Sequence, residues 1–405
     1  MSKRKRFFSI ILSIVLVLVL IPWQGIKSNA SFTGTFRFDS EGKFRVIQFA
    51  DIQESSGLSS RTEQLMKNMI DRYQPDLCVL TGDNQTAGSF LYRTVIGKIV
   101  DVFNSRNAKF AVTFGNHDDE NGVSKDTQYN YYKSQGGDNF VDHDVSALSG
   151  SGNGAITVYG QTGNDPKYFL YVMDSNSNAN GGYNNPYTDQ IDYYIQNSQQ
   201  YPTVPSLWFM HIIVRDVFDQ CMTTTSNGTQ GRSGNGSDYG SQTWYLQTDK
   251  INWPKTLMAT TTQEAFKELP CPAIYNNYYT TEHRSSSQYG SRTLYESWVN
   301  YGNMLGSYYG HDHQNSFVVT TPAGIDIGFS KSCGVAAYND GNPGARVFDL
   351  YEDGTYASYN VTEADLTKPQ VFFHRNGGTG ELPPKFITAN TTGQLRLNTS
   401  TNAGT

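Results

Sequence analysis

Residues 110–118 read Phe-Ala-Val-Thr-Phe-Gly-Asn-His-Asp, and the rest of the chain is interpreted outward from this stretch. The mostly apolar run at 110–114 predicts a buried strand. Gly115 allows the backbone to bend closely, and a carboxamide, an imidazole and a carboxylate then follow in succession. By itself the pattern also fits an ordinary turn that holds a histidine, so its meaning depends on what ends the other strands.

The composition favours one large domain whose surface is polar but weakly charged, as is typical of extracellular proteins. The chain has 405 residues, enough for a large α/β domain with insertions. Hydrophobic residues make up 37% and charged residues 17%, both below the usual globular values. Residues 1–30 hold five cationic side chains and no acid, which leaves −11 on the remainder of a chain whose total is −6. An acidic body argues against a nucleic-acid partner held by phosphate contacts.

The N-terminus has the pattern of a signal peptide. Basic residues at 3–6 precede an apolar run at 7–21, and Ser28 and Ala30 are small residues at the −3 and −1 positions of a cleavage site. The apolar run is short for a membrane span, which takes about 20 residues. We therefore expect cleavage near Ala30, a secreted protein and no membrane contact beyond this segment. The alternative is an uncleaved anchor.

Strands and helices alternate over the following 90 residues. The predicted elements are a strand at 44–50, a helix that begins at Ser60 and closes at Pro75, a strand at 77–80, a helix at 91–104 and the strand at 110–114. Ser60 and Glu63 have the spacing of a capping box. A βαβαβ order predicts a largely parallel sheet covered on both faces, with functional residues beyond the carboxyl ends of its strands.

The remainder of the chain predicts further strands and one irregular excursion. Strands are expected at 155–159, 168–173, 206–210, 317–320, 325–329, 345–351 and 355–361, and a helix at 188–197. Residues 223–242 lack periodicity and predict a loop excursion. Cys221 and Cys271 flank it, so these two residues either form a disulfide outside the cell or remain thiols. We expect one domain at 40–365 and a loosely ordered tail at 368–405.

Carboxylate, carboxamide and imidazole side chains follow five of the predicted strands. The candidates are Asp51, Gln53, Asp83, Asn116, His117, His211, His311 and His313. Residues two apart at a strand end point to the same side, so members of this set can share a centre. Carboxylates and imidazoles suit divalent metals, and the set exceeds the needs of one tetrahedral ion. Two ions bridged by Asp83 would polarise a phosphoryl oxygen and activate water. The other histidines, His143, His283 and His374, have the look of ordinary loop or surface residues.

Five motifs in this order resemble the calcineurin-like metallophosphoesterase superfamily, and most closely its secreted phosphatase or phosphodiesterase branch. They are Asp51-Ile52-Gln53, Gly82-Asp83-Asn84, Gly115-Asn116-His117-Asp118, His211 and Gly310-His311-Asp312-His313. The resemblance implies an α/β fold, a four-layer αββα sandwich of two mixed sheets.

The resemblance also implies roles for single residues. The first metal ion would be held by Asp51, Gln53, Asp83 and His313. The second would be held by Asp83, Asn116, His211 and His311. His117 would contact the phosphate and protonate the leaving group. The ions would be divalent or trivalent, drawn from Mn, Fe, Zn and Mg.

The chain departs from the family pattern in two places. The first motif usually ends in histidine, and here Gln53 stands in that position. Its neutral oxygen is a weaker ligand than imidazole, which favours Mn or Fe at that site and weakens binding there. The segment 83–87 also lacks the second acid of the GD-x-x-D extension, which argues against close kinship with Ser/Thr protein phosphatases.

The sequence thus predicts a secreted phosphoric ester hydrolase acting on a monoester or a diester, with dinuclear-metal activation of water and His117 assisting the leaving group. One alternative is a non-catalytic binding module on a decayed metallophosphoesterase fold, with Gln53 as the sign of decay. Another is a two-metal hydrolase that acts on an amide, which the order of the motifs disfavours.

Overall fold

We describe the chain from a computed structural model that covers residues 31–179, 182–234, 241–247, 265–272 and 280–367, with the backbone of three further strands at 371–374, 385–389 and 395–397. The predicted leader at residues 1–30 lies outside this part of the chain.

The first of two large sheets contains the predicted βαβαβ segment. Its strands are β2 (Lys43–Phe49), β3 (Leu77–Thr81), β4 (Phe110–Thr113), β16 (Gly344–Tyr351) and β17 (Tyr356–Thr362). Their order across the sheet is β17-β16-β2-β3-β4. Strands β2, β3 and β4 pair in parallel, whereas β16 pairs antiparallel with both β2 and β17. The sheet is therefore mixed.

The second sheet has seven strands: β1 (Phe36–Arg37), β5 (Gly154–Tyr159), β6 (Pro166–Val172), β9 (Ser206–Phe209), β13 (Met304–Tyr309), β14 (Val318–Thr320) and β15 (Asp326–Phe329). Their order across the sheet is β1-β5-β6-β9-β13-β15-β14. The central run from β6 to β15 is parallel, and the β5–β6 and β14–β15 pairs are antiparallel.

Helices cover the outer faces of both sheets. The first sheet carries α1 (Ser60–Tyr73), α2 (Tyr92–Asn104) and α3 (Lys125–Gly136). The second carries α4 (Thr188–Gln200), α5 (Arg215–Cys221) and α6 (Leu294–Tyr301). Short 3-10 turns lie at 137–139, 281–283, 287–289 and 363–367.

Three apolar layers fill the spaces between these elements. Ile47 and Leu80 pack with the helices of the first sheet, while their strand neighbours Val46 and Val79 face the second sheet. Trp208 packs under the helices on the far side. This alternation along each strand buries both faces of both sheets, and the predicted αββα sandwich of two mixed sheets is confirmed.

Helix α1 begins at Ser60 as predicted, but its capping residue lies one position earlier than the predicted one. The side chain of Ser59, not Ser60, accepts a hydrogen bond from the backbone N–H of Thr62 at 3.3 Å. The predicted capping box with Glu63 is therefore wrong by one position. The first turn still receives a hydroxyl cap, which is what stabilises the start of a helix.

Three smaller sheets accompany the two large ones, and two of them lie in or beside segments that were predicted to be irregular. Within and beside the excursion at 223–242, β10 (Met222–Thr223), β11 (Arg232–Ser233) and β12 (Thr243–Leu246) form an antiparallel sheet. Strands β7 (Asn178–Ala179) and β8 (Gly182–Tyr183) pair antiparallel. In the 368–405 segment, β18 (Val371–His374), β19 (Lys385–Ala389) and β20 (Leu395–Leu397) pair antiparallel. The expected loose order stays a prediction for the other residues of that segment.

All four cysteines lie in the described part of the chain, and none forms a disulfide. Cys221 is buried, and burial raises the pKa of its thiol. The disulfide option for Cys221 and Cys271 is thus not realised in this structure. Among the described helices, none is both long and apolar enough to cross a membrane.

Candidate metal centre

The carboxyl ends of strands from both sheets meet at one buried place. The loops after β2, β3 and β4 bring Asp51, Asp83 and Asn116, and the loops after β9 and β13 bring His211 and His311. These five side chains are 0–8% exposed. The structure therefore brings together five of the predicted candidates, which come from positions as far apart in sequence as Asp51 and His311.

Four of the candidates have a backbone conformation that side chains rarely adopt. The φ angles are +54° at Asp51, +45° at Gln53, +49° at Asp83 and +69° at His311. Each such residue costs on the order of 1–3 kcal/mol and persists only where its surroundings fix it. Here the loops fix one another, since the N–H of Gln53 donates to the carbonyl of Asp83 at 2.9 Å. The left-handed backbone conformation directly after the strands thus helps to direct these side chains toward the site.

Two glycines of the motifs are required because neighbouring side-chain and backbone atoms lie where a Cβ atom would be. A Cβ atom on Gly115 would lie 2.2 Å from Asp83 Oδ1 and 2.6 Å from a ring carbon of His211. A Cβ atom on Gly310 would lie 2.9 Å from Asp51 Oδ2. Contacts this short are not tolerated, so only glycine lets these loops pass beside the carboxylates.

Asp83, His211 and His311 form the tightest group, with ligand atoms that all lie within 4.8 Å of one another. His211 Nε2 is 3.1 Å from Asp83 Oδ2 and 3.9 Å from Asp51 Oδ1. The backbone N–H of His311 lies 3.0 Å and 3.1 Å from the two oxygens of Asp51. The two carboxylates therefore share one small volume with the imidazoles.

Asp51, Gln53 and His313 make the other half of the group. His313 Nε2 is 3.4 Å from Asp51 Oδ1. Gln53 Nε2 donates a hydrogen bond to Asp83 Oδ2 at 2.7 Å. An amide binds a cation through its oxygen, so Gln53 reaches a ligand geometry only after its amide rotates to present Oε1.

Backbone carbonyls fix the rings of two histidines. His211 Nδ1 donates to the carbonyl of Thr81 at 2.9 Å, and His313 Nδ1 donates to the carbonyl of Tyr338 at 2.6 Å. In both rings Nδ1 carries the proton of that bond and Nε2 points toward the carboxylates. This is the arrangement in which a histidine is prepared to bind a metal.

His117 differs from the other candidates because its side chain is 38% exposed. Its Nδ1 lies 2.7 Å from Glu120 Oε2, and its Nε2 lies 4.0 Å from Asp83 Oδ2. Its backbone N–H donates to Asp83 Oδ1 at 2.9 Å. Sequence reasoning missed Glu120; the signal that was available is an acid three residues after the histidine in the same loop.

Asp118 is buried and ties two of the loops together. Its side chain accepts hydrogen bonds from the N–H groups of Gly115 at 2.7 Å and Asn84 at 2.9 Å. Burial, followed by the negative charge of Asp83, raises the pKa of Asp118 to about 7. Its role is to hold the loop backbone rather than to face the candidate ligands.

The pKa values of the buried acidic and histidine side chains depend strongly on their charged neighbours. Burial raises the pKa of Asp51, whereas His211 and its neighbours outweigh burial at Asp83 and lower the pKa of that carboxyl. Burial alone would lower the pKa of His211, but the charge of Asp83 outweighs it and raises the value to about 9. Burial and the charge of His211 lower the pKa of His311 to about 3. In the metal-free chain a proton on His211 therefore balances the carboxylates, and a bound cation would compete with that proton.

The chemistry of the site fits a metal ion. Asn116 Oδ1 is buried and has no hydrogen-bond partner among the described residues, which is costly unless a cation or water satisfies it. Carboxylate, amide and imidazole atoms together suit Mn, Fe or Zn.

The remaining histidines lie apart from this group. His283 lies in the 3-10 turn at 281–283, where it is buried and its Nδ1 donates to the carbonyl of Pro186 at 3.1 Å. His143 is half-buried beside the carbonyls of Val141 and Gly152. The side chain of His374 lies outside the described residues.

Fold and site together define an α/β sandwich with a candidate metal site whose ligand atoms come from both sheets. The chain belongs to the calcineurin-like phosphoesterase family, which it matches over residues 44–315.

Two curated relatives extend this finding. Over 377 residues the chain is 21% identical to the probable inactive purple acid phosphatase 14 of Arabidopsis thaliana, covering 83% of this chain and 82% of that protein. Over 230 residues it is 27% identical to the phosphatase DCR2 of Saccharomyces cerevisiae, covering 47% of this chain and 39% of DCR2. The match thus spans well under half the length of DCR2.

Solved structures similar to the chain include PhoD, with a TM-score of 0.41, 11% identity and coverage of 90% of this chain and 73% of that one. GAP50, the anchor in the inner membrane complex of Plasmodium, has a TM-score of 0.43 at 10% identity, with coverage of 84% and 90%.

Proposed function

We propose that the protein is a secreted, metal-dependent hydrolase of phosphate esters, with residues 40–365 as its catalytic domain. The observation that carries the proposal is a partly exposed imidazole, His117, beside a buried group of metal-ligating atoms. A site with this division of roles can bind ions deeply and still present a proton donor to a substrate. Membership of the phosphoesterase family supports the substrate class.

The proposed ligands follow the geometry of the two halves of the site. We assign one ion to Asp51, Gln53, Asp83 and His313, and the other to Asp83, Asn116, His211 and His311. Ions bound there would supply polarisation of the phosphoryl group and acidification of water. Three of the four ligands in the first set bind through oxygen, which favours Mn or Fe over Zn in that position.

His117 is the proposed proton donor to the departing alcohol. As a water molecule forms its bond to phosphorus and the bond between phosphorus and the ester oxygen breaks, the proton on Nε2 moves to that oxygen. The Glu120 carboxylate, 2.7 Å from Nδ1, holds the ring and stabilises its protonated form. Glu120 acts through His117, so we regard it as a positioning residue.

A non-catalytic binding module is the second candidate, and Gln53 is the observation that favours it. Its Nε2 donates to Asp83 in place of an oxygen or imidazole ligand. The Arabidopsis relative is also named as probably inactive. The phosphoesterase remains the better-supported proposal because His117 and the histidine ligands are all present.

Turnover of two chromogenic esters tests the proposal. Residues 31–405 are stripped of metal, reloaded with Mn, Fe, Zn or Mg, and assayed on p-nitrophenyl phosphate and bis-p-nitrophenyl phosphate, with a p-nitroanilide beside them. We expect metal-dependent ester hydrolysis that falls roughly 100-fold or more in His117→Ala. Because His117 is not a proposed ligand, the variant should bind as much metal as the wild type.

The outcomes separate the candidates. The ratio of the two ester rates assigns a monoesterase or a diesterase. Tight metal binding without turnover of either ester favours the binding module, and faster cleavage of the anilide favours an amide hydrolase. Failure to bind any metal contradicts the proposed ligand sets themselves.

Secretion is tested independently of activity. We propose cleavage after Ala30, so the exported protein should begin at Ser31 when its N-terminus is sequenced. An intact N-terminus retained with the membrane fraction would instead support the uncleaved anchor.

A further inference from the structure

Two tyrosines that no motif includes contact the imidazoles of the candidate metal centre. The ring of Tyr338 is stacked on His313, with centroids 4.0 Å apart and planes inclined by only 6°. The ring of Tyr183, at the end of β8, meets His311 edge-on at 4.5 Å and 80°. An aromatic surface therefore borders the centre beside each of the two histidines of the last motif.

Tyr338 is held in place before any ligand arrives. Its carbonyl accepts the hydrogen bond from His313 Nδ1 at 2.6 Å. Two residues further on, Asp340 forms ion pairs with both Lys331 and Lys267. With its backbone fixed by these contacts and its ring stacked on His313, Tyr338 loses little conformational entropy when a ligand packs against it.

Much of Tyr338 nevertheless remains open to solvent. Its exposed fraction is 57%, among the largest for the large hydrophobic side chains of the described residues. Internal packing explains why the ring lies parallel to His313, but not why the rest of its surface is left uncovered. An exposed, pre-positioned aromatic ring next to a reaction centre has the properties of a stacking surface for a ligand.

We propose that Tyr338 determines specificity by stacking against a planar aromatic group in the alcohol portion of the ester. This inference rests on the proposed phosphoesterase function. The ring already lies parallel to an imidazole, so a planar group extends the same stack while its phosphoryl group lies at the metal centre. One aromatic pair contributes up to about tenfold in binding.

Two esters isolate the effect of the ring. Phenyl phosphate and hexafluoroisopropyl phosphate have alcohols of similar acidity, but only the first is aromatic. The measured quantity is the ratio of their kcat/KM values on one preparation of the metal-loaded protein. Because both esters meet the same protein, the ratio does not depend on how much of a variant is folded or loaded.

If Tyr338 stacks on the alcohol group, its replacement should lower kcat/KM selectively for the aromatic ester. We expect the phenyl-to-alkyl ratio to fall about five- to tenfold in Tyr338→Ala and in Tyr338→Leu, and to be retained in Tyr338→Phe. Phe90→Ala is the matched control, since Phe90 is 97% exposed and lies in the loop after β3. It should leave the ratio at the wild-type value.

Other results overturn the inference. An unchanged ratio in both the Ala and Leu variants, or an equal fall in Phe90→Ala, removes the stacking role and leaves phosphate ester hydrolysis standing. If Tyr338→Ala lowers kcat/KM more for glucose 6-phosphate than for phenyl phosphate, the Tyr338 ring would instead contact a sugar. If the wild type turns over neither ester with any metal, the proposed function fails and this inference fails with it.

Discussion

The two ring nitrogens of His117 face carboxylates of different character. Nδ1 lies 2.7 Å from Glu120, whose side chain is 51% exposed, and Nε2 lies 4.0 Å from the fully buried Asp83. Burial lowers the pKa of His117, but the charge of Asp83 and the contact with Glu120 outweigh burial, and the net pKa is raised. A raised pKa keeps the imidazole protonated, and able to act as an acid, to a higher pH.

Replacing Glu120 should therefore narrow the pH range of activity from its alkaline side. In Glu120→Gln the neutral amide no longer favours the protonated ring, so the pKa of His117 falls and the acid form is lost at lower pH. We expect the alkaline limb of the kcat/KM profile to move down and kcat to fall. The pKa itself is measured by NMR of the His117 ring in the metal-free chain.

The chain offers a matched control for this substitution. Glu282 Oε1 lies 3.6 Å from His283 Nε2 in another glutamate–histidine pair, neither member of which is a candidate ligand. Glu282→Gln should leave the pH profile unchanged. An alkaline limb that stays in place in Glu120→Gln would show that Glu120 does not support the protonated form of His117.

The elements that matter most are the short loops directly after the strands. They combine left-handed residues such as Asp51 and Asp83 with glycines that pass within contact distance of the carboxylates. Strands β3 and β4 are neighbours in the first sheet, so the loops that leave them lie side by side. The packing of these two loops sets where Asp83 points.

Gly115→Ala should disturb that packing more than the size of a methyl group suggests. Its Cβ would lie 2.2 Å from Asp83 Oδ1 and 2.6 Å from the backbone nitrogen of Asp83, so the rigid backbone has to shift. We expect a loss of about 1–3 kcal/mol in the free energy of unfolding and weaker metal binding, measured by urea denaturation and calorimetric titration.

Gly57→Ala is the control for that variant, since a Cβ atom there meets nothing within 4 Å. It should leave both quantities close to the wild-type values. Equal metal affinity in the two variants would contradict the importance of the approach between the loops.

Sequence reasoning succeeded where periodicity carries the signal and failed where a contact depends on loop conformation. The parallel βαβαβ order and the converging strand ends were predictable because buried strands and amphipathic helices differ in period. Strand β1 has two residues, too few for any alternation to show. The contacts of Glu120 and Tyr338 join residues within or between non-repetitive loops, and sequence spacing does not encode them.

At the scale of the whole molecule, the centre lies where two sheets meet. The first sheet contributes Asp51, Asp83 and Asn116, and the second contributes His211 and His311. Between the sheets the contact is otherwise an apolar layer. Ions held by both groups would therefore cross-link the two halves of the sandwich and stabilise the folded chain over the unfolded one.

Removal of metal should accordingly lower thermal stability as well as activity. A ligand at 100 times its dissociation constant adds about 2.7 kcal/mol to the folded state, which corresponds to a rise of several degrees in Tm for a domain of this size. Calorimetric scans with chelator and with added Mn or Zn measure this change in Tm. Asp83→Asn, which alters the proposed bridge, should abolish most of the shift.

Gln53→His separates the two proposed ion positions in the same experiment. An imidazole at position 53 is a stronger ligand than the present amide, whose Nε2 donates to Asp83 at 2.7 Å. It should therefore raise the Zn-dependent part of the Tm shift and increase the amount of Zn bound, while the ion proposed at Asn116, His211 and His311 is unaffected. If the wild type already binds two ions and the variant binds neither more tightly, Gln53 is a competent ligand as it stands. The same result would remove the one observation that favours a decayed, non-catalytic site.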